Sequence, residues 1–345
     1  MTAQVAFLFP GQGSQAVGMG ADVYTASVAA KRVFETVDET LGFSLSNLCF
    51  SGPEETLRDT INAQPAIVTV SLAFLAAFQE ALLPKTSSWS SPLTPAYTAG
   101  HSVGEYAALT AAGALDLRQT ALQVRERGRL MHQEGLACPG GMAAVIGMDA
   151  EILQEVCQEA TQQMQATLPT DGTQRHPGQG QVVVANYNAP GQIVISGEQQ
   201  ALTRAIELAR DRGAKRVIPL SVSAAFHSPV MQPAAHNLAQ SLATADIHDT
   251  TIPIISNITA TALTSASAMR KELAEQIAAP VQWIRTIDYL TNAGVSVFIE
   301  IGPGQALTGM IKRIARGVTT LTIGSVAEIG KAVKTVREMG IIHEI

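Results

Sequence analysis

The chain has 345 residues, 46% of them hydrophobic and only 15% charged, with a formal net charge of −6. That much apolar material excludes a disordered chain and supports a sizeable core, and the length suits one large domain with a smaller companion. The acidic balance and a sequence pI near 5.7 argue against nucleic acid as the main partner. Cys49, Cys138 and Cys157 are scattered without metal-ligand spacing, so they read as reduced thiols, and neither a disulfide framework nor a metal site is expected. The opening residues lack the basic start of a secretory signal. The longest apolar stretch, around Ala66 to Phe78, is interrupted by Thr69 and Ser71 and reads as too short to cross a bilayer. A cytoplasmic location with no membrane partner is the expectation.

Taken in chain order, the pattern opens with a predicted strand at Val5–Phe9 and helices at Ala26–Thr40 and Ala66–Leu82. A strand over Ala96–Ala99 leads into helices Gly104–Ala112 and Leu117–Gln133. Strand Met142–Gly147, helix Ala150–Gln163, strands Val182–Asn186 and Ile193–Ser196, helix Gln199–Arg212 and strand Arg216–Pro219 follow. The chain closes with helix Pro229–Ala243, strands Ile252–Ser256 and Val297–Ile301, helix Gly304–Ala315 and strand Thr319–Ile323. Such alternation predicts an α/β fold. The stretches Lys85–Pro95 and Thr167–Gln181, rich in Ser, Thr, Pro, Gly and Gln, read as loops. Between about Cys138 and Ser221 the order β-α-β-β-α-β is that of a ferredoxin-like split unit, which interrupts the larger pattern as an inserted small domain.

The sharpest local signal is Gly100-His101-Ser102-Val103-Gly104, placed between a predicted strand and a predicted helix. GxSxG in that context is a nucleophile elbow. The serine sits on a tight turn that lifts its hydroxyl clear of the backbone, and a side chain at either flanking glycine would crowd the turn. Because a helix starts there, the following N–H and the helix dipole can stabilise an oxyanion.

A serine hydroxyl needs a base to become a nucleophile. Of the seven histidines, His101 lies on the elbow and is read as pointing away from Ser102. His132 and His236 fall on predicted helices, His176 in a loop and His343 in the terminal tail. His227 stands where an extended segment meets a helix, a position from which catalytic groups are usually presented. Spacing alone leaves the choice open, and no carboxylate stands out in the α/β-hydrolase order of serine, acid, histidine. Arg127, flanked by Arg125 and Arg129, reads from its pattern as a solvated helix residue. Gly11-Gln12-Gly13-Ser14-Gln15 lacks the lysine of a phosphate-binding loop and the third glycine of a dinucleotide fold.

Read together, a series of blocks in order resembles the malonyl-coenzyme A:acyl carrier protein transacylase family and related polyketide acyltransferase domains. The blocks are Phe9-Pro10-Gly11-Gln12-Gly13-Ser14-Gln15, Gln64-Pro65-Ala66, Gly100 to Tyr106, Arg127-Gly128 and Gly140 to Ala144. Asn186 to Gln192, Phe226 to Met231, Pro280 to Trp283 and Glu300 to Gly304 complete them. The resemblance implies an α/β-hydrolase-like large domain over residues 1–135 and 223–345, with the ferredoxin-like small domain over residues 136–222. It also implies Ser102 as the acylated nucleophile and His227 as its base. The imidazole would be held by a backbone carbonyl at Gln276, which accounts for the missing acid. The N–H groups of Gln12 and Val103 would form the oxyanion hole.

On the same resemblance Arg127 would face the malonyl carboxylate, with Gln64 and Phe226 also contacting the acyl group. The bulk of Phe226 fits malonyl better than methylmalonyl, although Ala224 stands where polyketide relatives commonly have histidine. The expected partners are malonyl-coenzyme A and an acyl carrier protein, with no cofactor, and the chain is expected to act as a monomer. Two basic clusters, Arg204 to Arg216 and Lys312 to Arg316, are candidates for receiving an acidic carrier. A serine hydrolase such as a thioesterase is the rival enzyme reading, and a catalytically silent binding module the rival outside enzymology.

Overall fold

The computed structural model describes residues 3–83, 93–169 and 175–341. Strand β1 (Gln4–Phe9) is followed by the short helices α1 (Ala21–Ala26), α2 (Val28–Leu41), α3 (Leu45–Ser51) and α4 (Glu54–Arg58), then by the long α5 (Thr60–Leu82). Next come β2 (Tyr97–Gly100), α6 (Gly104–Ala111) and α7 (Leu117–Ala137). The run β3 (Gly140–Ile146), α8 (Ala150–Thr167), β4 (Val182–Ala189), β5 (Gln192–Glu198), α9 (Gln199–Asp211) and β6 (Arg216–Pro219) follows. Helix α10 (Gln232–Ala243), strands β7 (Ile254–Ile255) and β8 (Ala262–Leu263), and helices α11 (Ala266–Glu275) and α12 (Trp283–Asn292) come after it. Strand β9 (Val295–Ile301), helix α13 (Ala306–Ile314), strand β10 (Thr319–Ile323) and helix α14 (Val326–Glu338) end the chain.

The larger sheet has the order β10-β9-β1-β2-β7-β8, and all its pairs are parallel except β7–β8. A parallel strand covered on both faces must be apolar on both, and β1 is buried from Val5 to Phe9. Its alternate residues feed two cores: Phe7 and Phe9 pack with Phe74 and Phe78 on one side, Ala6 and Leu8 with Trp283 and Ile287 on the other. The second sheet, β4-β5-β3-β6, is antiparallel. Its strand order is that of the ferredoxin-like unit, and it packs α8 and α9 over a separate core that includes Val145, Leu153, Val156, Ile195 and Leu202.

The largest departure from the predicted elements is α5, which starts at Thr60 and not at Ala66. Proline at the start of an apolar run reads as a helix beginning, yet Pro65 lies inside the helix. A proline has no N–H for the carbonyl four residues earlier, here Ile61. Arg125 Nη1 donates to that oxygen instead, at 2.6 Å. Asp59 caps the true start by accepting the Ile61 N–H at 3.3 Å. At 23 residues α5 is therefore long and apolar enough to cross a membrane by length and composition, which corrects the expectation from the shorter stretch. Of its apolar window, 78% is buried inside the protein, as in a core helix.

Other differences are local. The predicted helix Ala26–Thr40 divides at Ser27, whose hydroxyl accepts the Ala30 N–H at 3.0 Å and begins α2. Helices α3, α4, α11, α12 and α14 were not predicted, although Trp283, Ile287 and Leu290 give α12 a clear apolar face. Parts of the two predicted loops, residues 85–92 and 170–174, lie outside the described residues. Within the second loop, α8 extends to Thr167.

Helices α5 and α7 meet at Gly128, where a Cβ would lie 2.9 Å from Thr60 O and 3.0 Å from Ile61 Cα. That contact brings the start of α5 against Arg127. Gly128→Ala should lower stability by about 1–3 kcal/mol, the scale of overpacking. The check is a lower urea midpoint at unchanged slope; an unchanged midpoint would mean that the contact has slack.

Candidate active site

In open parallel sheets, ligand crevices lie beyond the carboxyl ends of the strands. Here the segments leaving β1 (Pro10 to Gln15), β2 (His101 to Val103) and β7 (Ser256-Asn257) meet in one place. Ser102 has a φ of 53°, a strained value for a residue with a side chain. The flanking glycines are required by close approach. A Cβ at Gly100 would lie 2.0 Å from the Gly104 carbonyl carbon, and one at Gly104 would lie 2.3 Å from Phe9 O. Gly11 is pressed onto the same turn, since its Cβ would lie 2.5 Å from His101 O. Asn257 ties the elbow from the other side: its Oδ1 accepts the Ser102 N–H at 2.8 Å and its Nδ2 donates to Gly100 O at 2.8 Å.

Ser102 Oγ lies 2.7 Å from His227 Nε2. On the far side of the ring, Nδ1 lies 2.9 Å from Gln276 O and 3.0 Å from Ala279 O. Carbonyls only accept, so the ring proton belongs on Nδ1 and Nε2 is left as an acceptor toward the serine. Burial pushes the His227 pKa down to about 3, and the nearby Arg127 charge pushes the same way, while the two carbonyls pull it back. The ring is therefore neutral at pH 7. Because the folded pKa is below the unfolded one, this group's contribution to stability is complete above about pH 6.5. It is lost as pH falls from there toward 3.

Arg127 is 1% exposed. Its Nη1 donates to Gln64 Oε1, and its Nη2 donates to Gln276 Oε1 at 2.8 Å and Ser102 Oγ at 3.1 Å. Burial lowers its pKa to about 10, which leaves it cationic at neutral pH. All three partners are neutral. Gln276 Nε2 donates to Ser102 O at 3.0 Å and to the Glu105 carboxyl. Glu105 is fully buried, and burial together with Glu272 pushes its pKa well above the usual carboxylate value. Among the described residues no carboxylate forms a direct ion pair with Arg127, and the guanidinium lines a cavity of about 420 Å³.

The hydrogen bonds thus bring together Ser102, His227, Gln276, Arg127 and Gln64. Gln12, Val103 and Phe226 line the same cavity. Among the described residues no backbone acceptor takes the Gln12 or Val103 N–H, so both are free to meet a ligand. Of the other histidines, His101 lines the same cavity with its Nε2 2.8 Å from Asn188 Oδ1, while His132 lies beside Asp59 and His176 beside Glu134. His343 is outside the described residues. Among the basic clusters, Arg204 pairs with Glu207 at 2.9 Å and Arg212 with Glu155 at 3.8 Å.

Sequence reasoning passed over Thr60, Glu105 and Asn257. Two of them carried a faint signal: Glu105 is an acid in an otherwise apolar helix start, and Asn257 is polar immediately after an apolar strand. Residues 6–337 match the acyl transferase domain family. A malonyl CoA-acyl carrier protein transacylase of Bacillus subtilis (strain 168) is 44% identical, over 97% of this chain and 98% of the relative. One from Escherichia coli (strain K12) is 37% identical, over 94% of this chain and 96% of the relative. The chain belongs to this transacylase family. Among solved structures, an acyl carrier protein S-malonyltransferase from Vibrio cholerae matches 96% of this chain and all of its own. Its TM-score is 0.84 and its identity 36%. A malonyl-transacylase in complex with a type II PKS acyl-carrier protein gives a TM-score of 0.85 at 35% identity, covering 96% of this chain and 100% of that one. Both share the large parallel and small antiparallel sheets of this α/β-hydrolase-like family fold.

An NMR titration of the histidine rings should show His227 unprotonated down to about pH 5, in line with a pKa pushed down to about 3. A midpoint near that of free histidine, about 6.5, would mean that the ring is solvated.

Proposed function

We propose that the chain moves a malonyl group from malonyl-coenzyme A to the phosphopantetheine thiol of an acyl carrier protein, by way of a malonyl ester on Ser102. The observation that carries this reading is the buried Arg127 guanidinium, which has only neutral partners and lies 3.1 Å from Ser102 Oγ. A cation so close to the hydroxyl suits a substrate whose carboxylate is separated from its thioester carbonyl by a single methylene. Malonyl has that spacing; longer diacids overshoot it. The names of the Bacillus and Escherichia relatives support the same reaction, and so does the neighbour solved with a carrier protein.

His227 Nε2 takes the Ser102 proton as Oγ attacks the thioester carbonyl. The negative oxygen that forms is held by the Gln12 and Val103 N–H groups, aimed at charge that exists only in the transition state. Collapse expels coenzyme A as its thiolate, which recovers the proton from the imidazolium. The carrier's thiol then gives its proton to His227 and attacks the ester carbonyl, and Ser102 leaves with the proton returned to Oγ. Arg127 holds the carboxylate through both halves by charge-assisted hydrogen bonds. Phe226, 5% exposed, closes the acyl side of the cavity against a branched group. The cytoplasm is the proposed location, which the three buried free cysteines favour, and the monomer the proposed working form.

Intact-mass analysis after mixing with malonyl-coenzyme A alone should show one added malonyl group, mapped to Ser102 and absent in Ser102→Ala. An adduct elsewhere, or acyl loss to water as fast as to a carrier thiol, would sink the transferase reading.

Arg127→Ala leaves the malonyl carboxylate unpaired in a desolvated site, a loss of roughly 2–5 kcal/mol. Catalytic efficiency with malonyl-coenzyme A should fall about 30- to several-thousand-fold. Acetyl-coenzyme A carries no such charge, so its activity should hold or rise. The ratio of the two cancels any effect on Ser102 itself, and a parallel fall would place the carboxylate elsewhere.

A further inference from the structure

Arg127 is joined to the loop after β1 by a chain of side chains that the mechanism above does not use. Arg127 Nη1 donates to Gln64 Oε1, Gln64 Nε2 donates to Thr60 Oγ1 at 2.9 Å, and Thr60 Oγ1 donates to Gln12 Oε1 at 3.0 Å. Gln64 and Thr60 are both fully buried. Every link donates in the same direction, away from the cation, so each bond polarises the next. The order is fixed by chemistry: a guanidinium only donates, which turns the Gln64 amide oxygen toward it and the Gln64 NH₂ toward Thr60. The threonine hydroxyl, having accepted from Gln64, has one proton to give, and Gln12 takes it.

The far end of the chain matters because Gln12 carries one of the two free N–H groups at the cavity. Its loop packs on the elbow at Gly11, but its own hydrogen bonds are local: Ser14 Oγ donates to Gly11 O at 2.8 Å and the Gly13 N–H to Gln15 Oε1 at 2.7 Å. Gly13, next to Gln12, is exposed and has a φ of 105°. Thr60 is thus the anchor that ties Gln12 to a rigid helix, at the turn where Gly128 lets α7 press on α5.

We propose that Thr60 is a positioning residue for the acyl-transfer reaction: its hydroxyl holds Gln12 so that the N–H faces the oxyanion, and it links that donor to the guanidinium that binds the carboxylate. This rests on Ser102 being the acylated residue. A donor held loosely loses part of the stabilisation that a fixed one provides.

Single-turnover acylation by malonyl-coenzyme A tests it. Thr60→Val keeps the shape and removes the hydroxyl, and should slow saturated acylation about 10- to 100-fold with half-saturation unchanged within about twofold. Thr60→Ser should restore the rate to within about threefold. Gln12→Met breaks the same link from its solvent side and should give the same loss, and combining it with Thr60→Val should add nothing further. An unchanged rate, a loss seen in half-saturation, no recovery with serine, or additive losses would each overturn the assignment. If Thr60→Val does not fold, Gln12→Met alone decides, by whether the rate falls at constant half-saturation. Failure of wild-type Ser102 to accept malonyl would instead bring down the transferase reading, and is scored separately.

Discussion

Taking a guanidinium out of water costs several kcal/mol unless its donors find acceptors. The acceptors that surround Arg127 organise the whole centre. Gln64 comes from α5, Gln276 from the turn after α11 and Ser102 from the elbow, so one cation draws three distant segments to a single point. Each of these residues carries a second bond outward: Gln64 to Thr60, Gln276 to the Ser102 and Glu105 oxygens, Ser102 to His227. None of the partners is a carboxylate. Gln276 spans the gap between Arg127 and the buried Glu105, so the nearest acid is one residue removed and the face toward the cavity keeps its charge.

The second constraint is steric. Gly100, Gly104 and Gly11 let the β1 and β2 segments pass at distances that a Cβ forbids, and Gly128 does the same for α5 and α7. Polar bonds then lock what the glycines permit. Asn257 fastens the elbow to β7, and Arg125 takes the carbonyl that Pro65 leaves open. These bonds act only at short range, with donor and acceptor about 3 Å apart, so they hold the segments where the glycines let them lie.

Much of this was legible in the chain itself. The strand–helix alternation gave the α/β class, the βαββαβ order gave the antiparallel unit, and the elbow pattern drew attention to Ser102. What the pattern could not supply was burial. Arg127 sits between two other arginines, and only the packing of α7 on α5 separates it from them: Arg125 and Arg129 remain partly solvated while Arg127 is enclosed. Resemblance to a family singled it out where periodicity did not. Thr60 was hidden for a related reason, because Pro65 masked the first turn of α5 and put its residues outside the predicted helix. Asn257 and Glu105 act through contacts across the sheet, which no local spacing records.

The orientation of His227 by two carbonyls, and not by an acid, bears on the fate of the acyl group proposed to sit on Ser102. With no negative charge behind it, the ring is a weak base, and a weak base separates acceptors by how readily they give up a proton. A thiol, with a pKa of about 8.5, gives up its proton more readily than water, at about 15.7. On the proposed reaction, an ester on Ser102 would therefore meet in a carrier's thiol a readier proton donor than water. A carboxylate behind the ring would stabilise the imidazolium and make the same imidazole a stronger base.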